Sequence, residues 1–193
     1  MSQPSLPLSQ PGHLATIALG ANMDSPAGSP AHTLSAAIER LRLLGAVRAA
    51  SSIWLTPPVG YADQPWFHNA VAQLETTLTP DDLLRSLLRI ESSFGRNRAA
   101  QQSQPGNQQR NGPRTLDLDL LLFDERVLAT SALTLPHPRL TERAFVLLPL
   151  AEIAPALVHP VTRLTIADHL ALLSAADRDA CVRLTPESPT SFS

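Results

Sequence analysis

The sequence predicts an α+β fold, in which a mainly antiparallel sheet carries helices on one face in the chain order β-α-β-β-α-β. Short apolar or alternating segments indicate the strands, and two capped segments with apolar residues at helical spacing indicate the helices. The length of 193 residues and the apolar content of 44% suit one domain with one core. We therefore expect a ferredoxin-like sheet with extra helices near the C-terminus.

The first strand and the first helix follow each other closely. Residues 16–20 (T-I-A-L-G) form a short apolar run that ends in a glycine turn. Ser29 then suits the N-cap of a helix, and Pro30 suits its first position. Apolar residues at three- and four-residue spacing continue the helix to about Leu44, and Gly45 stands where a left-handed C-cap is expected.

Two strands and a second helix come next. Residues 47–55 alternate in character, which predicts one strand that stops before a pair of prolines. Residues 67–76 predict the following strand. Thr79 is a suitable N-cap and Pro80 a suitable first residue for a helix, which Gly95 then ends.

The last predicted strand, residues 115–123, follows a long polar loop. Beyond it, Thr141 and Thr165 are expected to cap two further helices. Both ends of the chain are rich in Ser, Pro and other polar residues, with little apolar periodicity. The expected regions are a flexible N-terminal tail at 1–13, a domain at 14–176 and a flexible C-terminal tail at 177–193.

Composition excludes several classes of protein. All fifteen basic residues are arginine, so the chain has neither a P-loop lysine nor a Schiff-base lysine. The net charge of -2 argues against general nucleic-acid binding, and the single cysteine, Cys181, can form neither an internal disulfide nor a cysteine metal cluster. Without a secretory signal or a membrane-length apolar segment, we expect a cytoplasmic protein.

Two aspartates lie on the last predicted strand. Because side chains alternate along a strand, Asp117 and Asp119 share one face while the neighbouring leucines point into the core. Two carboxylates on one face repel each other, and a hard cation such as Mg²⁺ would relieve that repulsion. A solvated sheet face is the other explanation, and the D-x-D pattern alone does not distinguish the two.

A basic segment leads directly into these aspartates. Glu91 is followed by residues 92–116, which contain no acidic residue. This segment includes Arg96, Arg98, Arg110 and Arg114. The arginine fork matches phosphate oxygens, and polyphosphate with Mg²⁺ requires cations from both protein and metal. A solvated surface loop would explain the arginines but not their position before the aspartates. The combination favours a nucleotide site.

Nine short segments resemble one family in order and approximate spacing. They are G-A-N at 20–22, T-P-P-V-G at 56–60, D-Q-P at 63–65, F-H-N-A at 67–70, I-E at 90–91, G-R at 95–96, G-P-R-T-L-D-L-D at 112–119, P-H-P at 136–138 and R-A-F at 143–145. The family is that of the 6-hydroxymethyl-7,8-dihydropterin pyrophosphokinases, and the resemblance covers about residues 15–172. The implied reaction transfers pyrophosphate from ATP to the pterin hydroxymethyl group, which yields AMP and the pterin diphosphate for tetrahydrofolate synthesis.

The resemblance also implies roles for individual residues. Asp117 and Asp119 would bind two Mg²⁺ ions, and with Arg96 and Arg114 they would form the catalytic set. The implied ATP-binding residues are Glu91, Arg96, Arg98, Arg110, Arg114, His137 and Arg143. The implied pterin-binding residues are Thr56, Pro57, Pro58, Val59, Phe67, Asn69 and Phe145, with the two phenylalanines stacking on the ring and the asparagine bonding its amide edge.

The sequence departs from the family pattern at several places, and other functions remain open. The loop at 99–109 is longer than usual, Asn111 replaces a tryptophan, and Ala132 replaces a basic residue. One alternative is a D-x-D nucleotide-sugar transferase, which normally needs a larger open α/β domain. Others are an RNA-binding module and a relative that binds nucleotide without turnover. We expect a monomer whose partners are the two small-molecule substrates, with no nucleic acid and no membrane.

Overall fold

Three long antiparallel strands form the centre of the sheet. The computed structural model describes residues 12–58, 63–96 and 112–184. Strand β1 (His13–Ala21) lies between β4 (Phe67–Thr76) and β5 (Asp117–Phe123) and is antiparallel to both. The bounds of β4 agree with the prediction, whereas β1 begins before residue 16 and β5 begins after residue 115.

The outer part of the sheet contains short strands. Strands β2 (Ala46–Ala50) and β3 (Trp54–Thr56) both pair with β4, so the prediction of one continuous strand over 47–55 is wrong. Between β2 and β3, Ser51 makes side-chain bonds: its hydroxyl donates to the Ser52 carbonyl at 2.8 Å and accepts from the Val71 N–H of β4 at 3.0 Å. Such side-chain bonds compete with a regular ladder.

The two predicted helices are present. Helix α1 (Pro30–Leu41) begins at the predicted N-cap, Ser29, and α2 (Pro80–Ser93) begins at the predicted N-cap, Thr79. Gly95 follows α2 with a φ of 84°, a left-handed conformation that favours glycine.

The predicted end of the first helix is wrong, because α1 stops at Leu41 rather than Leu44. Gly45 does not cap the helix. A Cβ at this position would lie 2.1 Å from the carbonyl oxygen of Glu75. The glycine is therefore needed where the chain passes close to β4.

The C-terminal part adds a hairpin and further helices. These elements are β6 (Leu128–Ala129), β7 (Thr134–Leu135), a 3-10 turn (Leu140–Glu142), α3 (Ala144–Ile153), α4 (Ile166–Leu172), α5 (Ala175–Asp179) and β8 (Val182–Arg183). Thr165 caps α4 as predicted. Thr141 caps no helix, because it lies inside the 3-10 turn, and Arg143 occupies the N-cap position of α3.

The prediction of a loose tail from residue 177 is wrong for residues up to 184. Ser174 caps α5, and β8 pairs with the edge of β3, placing Trp54 opposite Arg183. The tail residues 185–193 and residues 1–11 lie outside the described residues. Within the described ranges, no helix is long and apolar enough to cross a bilayer.

Two apolar clusters cover opposite faces of the sheet, so the helices lie on both faces rather than one. Helices α1 and α2 pack on the first face, against residues such as Ile17 and Leu74, while α3 and α4 pack on the second face, against residues such as Val71. The strand order β5-β1-β4-β3 with antiparallel pairing confirms the predicted α+β class. Since Leu118 belongs to the first cluster, the alternation of β5 places its two aspartates on the α3 face.

Candidate active site

A row of residues crosses the three central strands on the α3 face. Gly20 of β1 pairs with Asn69 on one side and with Asp117 on the other. A Cβ on Gly20 would lie 3.1 Å from the Asn69 Oδ1 and 4.0 Å from the Asp117 Cβ. Gly20 therefore keeps the sheet surface open between an amide and a carboxylate. It was not predicted as a site residue, although the glycine that ends an apolar strand was the available signal.

Asp117 contacts two arginines among the residues that the structure describes. Its Oδ1 accepts from Arg96 and its Oδ2 accepts from Arg114, while its side chain is 18% exposed. Burial raises the pKa of Asp117, but the charges of Arg114 and Arg96 outweigh that effect and lower it to about 2. The carboxylate is therefore ionised at neutral pH.

Glu91 supports the position of Arg96 through buried hydrogen bonds. It lies in the last turn of α2 with 1% exposure, and its Oε1 accepts from the Leu118 N–H and from Arg96 Nη1, both at 2.8 Å. Arg96 also donates to the Leu116 carbonyl at 3.2 Å. These bonds fix the guanidinium of Arg96 beside β5, so they link Glu91 to Asp117 through an arginine.

Asp119 has a different environment from Asp117. Its side chain is 37% exposed, and it forms a long ion pair with Arg143, with 3.9 Å between Nη1 and Oδ2. Burial and the charge of Asp117 raise the pKa of Asp119 to about 6, although Arg143 partly offsets them. A cation bound at the pair would reverse this effect, because it would favour the ionised form.

The donor set suits a magnesium ion that keeps other ligands. Mg²⁺ takes oxygen ligands and usually combines one or two carboxylates with waters and substrate phosphates. Asp117 and Asp119 supply two carboxylates on one face. No group of three or more His, Cys, Asp or Glu that could hold a metal occurs in the part of the chain that the structure describes.

Two arginines offer donors that remain unused. Among the described residues, the buried Nε atoms of Arg96 and Arg143 have no hydrogen-bond partner. Buried donors are normally satisfied, so such orphan groups point to an acceptor that the protein does not supply. Burial and the neighbouring Arg139 lower the pKa of Arg143, which marks a locally positive region. A phosphate oxygen is a suitable acceptor for both donors.

His137 adds a neutral donor to the same region. Its Nδ1 accepts from the Arg139 N–H at 3.2 Å, which assigns the ring proton to Nε2. Burial, followed by the charge of Arg143, lowers the pKa of His137. The ring is therefore neutral at pH 7, and its Nε2–H is available as a hydrogen-bond donor.

The predicted pterin residues gather at the other end of the row. The Asn69 Nδ2 donates to the Thr56 hydroxyl at 2.8 Å, and both side chains are buried. Phe67 lies opposite Thr56 in the β3–β4 register, and Pro57 and Pro58 follow β3 directly. Arg114 lies 5.9 Å from the centre of the Phe67 ring.

Phe145 is the second residue of α3 and is partly buried against the cluster on this face. Arg143 lies 5.4 Å from the centre of its ring. Both aromatic rings predicted to stack on a pterin thus have a guanidinium nearby, at distances typical of cation–π contacts. Val59, Arg98 and Arg110, also predicted for the site, lie outside the described residues.

Asn22 connects the segments of the chain that lie beside the two aspartates. Its Nδ2 donates to the Gln64 Oε1 and the Pro65 carbonyl, each at 3.0 Å, and its Oδ1 accepts from the Arg114 N–H at 2.8 Å. The buried amide therefore joins the end of β1 to two loops. No role was predicted for it, since its partners are distant in sequence.

The chain matches known proteins over most of its length. The family model of 7,8-dihydro-6-hydroxymethylpterin-pyrophosphokinase (HPPK) matches residues 16–155. A Pseudomonas aeruginosa protein named 2-amino-4-hydroxy-6-hydroxymethyldihydropteridine pyrophosphokinase is 43% identical over 162 residues, covering 83% of this chain and 89% of that protein. A Bacillus subtilis protein of the same name is 43% identical over 143 residues, and the match covers 73% of this chain and 78% of that protein.

Other relatives are longer. The folic acid synthesis protein fol1 of Pneumocystis carinii is 37% identical over 154 residues, and the match covers 79% of this chain but 19% of that protein. Wild-type Plasmodium falciparum HPPK-DHPS, in a crystal structure with STZ-DHP, superposes with a TM-score of 0.61 and 15% identity, covering 85% of this chain and 44% of the other. At this identity the likeness shows the fold alone, and this chain spans less than half the length of either protein. The match over residues 16–155 and the identity to proteins of similar length show that the chain belongs to the 7,8-dihydro-6-hydroxymethylpterin-pyrophosphokinase family.

Proposed function

We propose that the chain transfers the pyrophosphoryl group of ATP to the hydroxymethyl oxygen of 6-hydroxymethyl-7,8-dihydropterin, in the presence of Mg²⁺. Family membership supports pyrophosphoryl transfer in folate biosynthesis, with ATP as co-substrate. The observation that carries the proposal is the row Asn69–Gly20–Asp117, which sets an amide pocket beside a carboxylate and arginine cluster.

Asp117 and Asp119 would hold the two Mg²⁺ ions. When bound, the metal ions would neutralise negative charge on the phosphate oxygens. Asp119 is the more accessible ligand, since its contact with Arg143 is long, whereas Asp117 must first exchange its arginines. The ionised state of Asp117 at neutral pH already suits this role.

Arg96, Arg114 and Arg143 would bind the triphosphate, together with His137 and the predicted Arg98 and Arg110. The arginine forks that contact aspartates can contact phosphate oxygens in the same geometry, and the orphan Nε donors of Arg96 and Arg143 support that assignment. Glu91 contributes to ATP binding through Arg96, because its described bonds face the protein interior.

The pterin would lie between Phe67 and Phe145. Asn69 would bond the amide edge of the ring, with Thr56, Pro57, Pro58 and Val59 as the pocket wall. The Thr56 hydroxyl already occupies one N–H of Asn69, which fixes the orientation of the amide. The pterin would replace the guanidinium groups near the two rings, so that the same arginines become available for phosphate.

In the reaction, a bond forms between the pterin oxygen and the β-phosphorus, and the bond from that phosphorus to the oxygen of the α-phosphate breaks. AMP leaves with that oxygen, and the hydroxyl proton passes to water or to a carboxylate. Positioning and charge neutralisation supply most of the catalysis in such transfers. We assign no dedicated general base, and His137 is not proposed for that role.

The test is AMP formation by the purified chain with ATP and Mg²⁺, with and without the pterin. Pterin-dependent AMP without ADP would support the proposal, and omission of Mg²⁺ should abolish the reaction. Pterin-independent ADP, or no AMP at any Mg²⁺ concentration, would contradict it. A cytoplasmic location and a monomeric state remain predictions.

A further inference from the structure

One carboxylate near the end of α3 connects several elements. Glu152 accepts hydrogen bonds from the Ser52 N–H at 3.1 Å, the Ser52 hydroxyl at 2.8 Å, the Trp54 Nε1–H at 3.2 Å and the Arg183 Nη2–H at 2.9 Å. Arg183 also donates to the Ser52 hydroxyl at 2.7 Å. The Glu152 side chain is 24% exposed, so these bonds are partly shielded from water.

The elements joined in this way carry two different parts of the proposed pterin pocket. Phe145 lies in the first turn of helix α3, seven residues before Glu152 and so about 10.5 Å from it along the axis. Strand β3 ends with Thr56, whose hydroxyl orients Asn69. Within the described ranges, the hydrogen bonds of Glu152 go to Ser52, Trp54 and Arg183 and to none of the predicted substrate residues, so we expect any effect on the pocket to pass through α3 and β3.

Helix α3 depends on such contacts for its position. Its N-cap makes no side-chain hydrogen bond, and Pro149 within the helix removes one backbone hydrogen bond. Apolar packing on the sheet is non-directional and permits small shifts, whereas hydrogen bonds fix distance and angle. Strand β3 has three residues, so its position depends on its neighbours, β4 on one side and β8 on the other.

We propose that Glu152 is a positioning residue that fixes α3 against β3 and thereby sets the separation of Phe145 from Thr56 and Asn69 in the pterin pocket. Arg183 of the C-terminal strand β8 is its counter-charge. The inference rests on the proposed function, since it assumes that these residues bind the pterin. A ring that stacks on an aromatic side chain while bonding an amide is sensitive to errors of about 0.5 Å in this separation.

The test compares Glu152→Ala, Glu152→Gln and Arg183→Ala with the unchanged chain. Each variant is assayed for its pterin Kd, its Kd for a non-hydrolysable ATP analogue with Mg²⁺, the KM for pterin, kcat and Tm. Thr165→Ala is the control, because it removes the cap of α4 without altering a residue of β3 or α3. Loss of stability alone should therefore appear in the control as well.

We expect Glu152→Ala to weaken pterin binding and raise the pterin KM by about tenfold, the equivalent of one hydrogen bond to a charged group. The affinity for the ATP analogue should change little. Glu152→Gln should give a smaller effect, since its amide oxygen can keep the three bonds accepted by Oε1 and only its NH2 group faces the Trp54 donor. Arg183→Ala should give a smaller effect again. Thr165→Ala should lower Tm without changing the pterin Kd.

An unchanged pterin Kd in Glu152→Ala, or equal weakening of pterin and nucleotide, would overturn the inference. If Glu152→Ala does not fold, Glu152→Gln and Arg183→Ala decide the question by the same criterion. Absence of pterin binding by the unchanged chain would instead contradict the proposed function. The two failures are thus distinguishable.

Discussion

Replacement of Glu91 by glutamine tests whether the buried carboxylate holds the arginine beside Asp117. Glu91 is 1% exposed, and one of its oxygens accepts from both Leu118 N–H and Arg96. Glutamine has nearly the same shape, so no cavity forms. Its amide oxygen can keep both acceptor contacts, but the side chain loses the negative charge that pairs with Arg96.

The expected loss of stability follows from these contacts. A hydrogen bond to a charged group contributes about 1.5–3 kcal/mol, and removal of one partner from a buried ion pair costs about 3–5 kcal/mol. Arg96 keeps Asp117 as a second partner, so we expect about 2–3 kcal/mol in the free energy of unfolding. For a chain of this size, that loss lowers Tm by about 4–12 °C.

The assay is thermal or urea unfolding of the ligand-free chain. Glu39→Gln is a matched control: this glutamate is 68% exposed and pairs with Arg42 on α1, so its loss should cost less than about 1 kcal/mol. If both variants unfold at the same temperature, the reasoning about the buried carboxylate is refuted. A normal Tm with weaker ATP binding would assign Glu91 directly to the nucleotide.

Three further predictions concern the metal pair, the pterin amide and acid stability. Asp119→Ala should abolish most Mg²⁺-dependent turnover while leaving the pterin Kd nearly unchanged, and substantial residual turnover would argue against a metal role. Asn69→Ala should weaken pterin binding by more than about tenfold with a smaller change in nucleotide Kd, measured by titration calorimetry. His159 and His169 are 6% and 5% exposed, and burial lowers the pKa of both. As pH falls below about 6.5, these histidines therefore take up protons in the unfolded chain before they do so in the folded chain. The free energy of unfolding should therefore decrease from that pH down to the lowered pKa values of the two histidines in the folded chain. A variant with both histidines replaced by glutamine should not show this decrease when the urea midpoint is measured against pH.

The sequence predicted most helix starts and strands because their signals are local. Ser29, Thr79 and Thr165 each cap the helix that follows them, as predicted. The errors have non-local causes. Gly45 is required by the carbonyl of Glu75, not by the end of a helix, and no residue within α1 reveals that approach.

The C-terminal strand was equally hard to predict. Both residues of β8 are exposed and have no apolar periodicity, so its pairing with β3 depends on an edge formed elsewhere in the fold. The bend at Ser51 also escaped prediction, because alternation continued through it while its hydroxyl bonded the backbone.

Strand alternation predicted the arrangement of the two aspartates, whereas the long-range bonds around them were not predicted. The shared face of Asp117 and Asp119 follows from the two-residue period of β5. The role of Asn22 does not, since it bonds Arg114 at a separation of 92 residues. Likewise, the family resemblance implies a nucleotide role for Glu91, which stays a prediction, but it does not indicate the bond of Glu91 to Leu118.

The position of β1 in the sheet has a consequence for biosynthesis. Ala15 pairs with Leu74 on one edge and with Phe123 on the other, so the first strand to be made needs partners from two later segments. At about 5–20 residues per second, about 5–20 s separate the synthesis of residue 21 from that of residue 123. During this interval β1 has an open edge and unburied apolar side chains, features that favour aggregation of a nascent chain. The ribosome must therefore complete β5, with its two aspartates, before the central sheet can be completed.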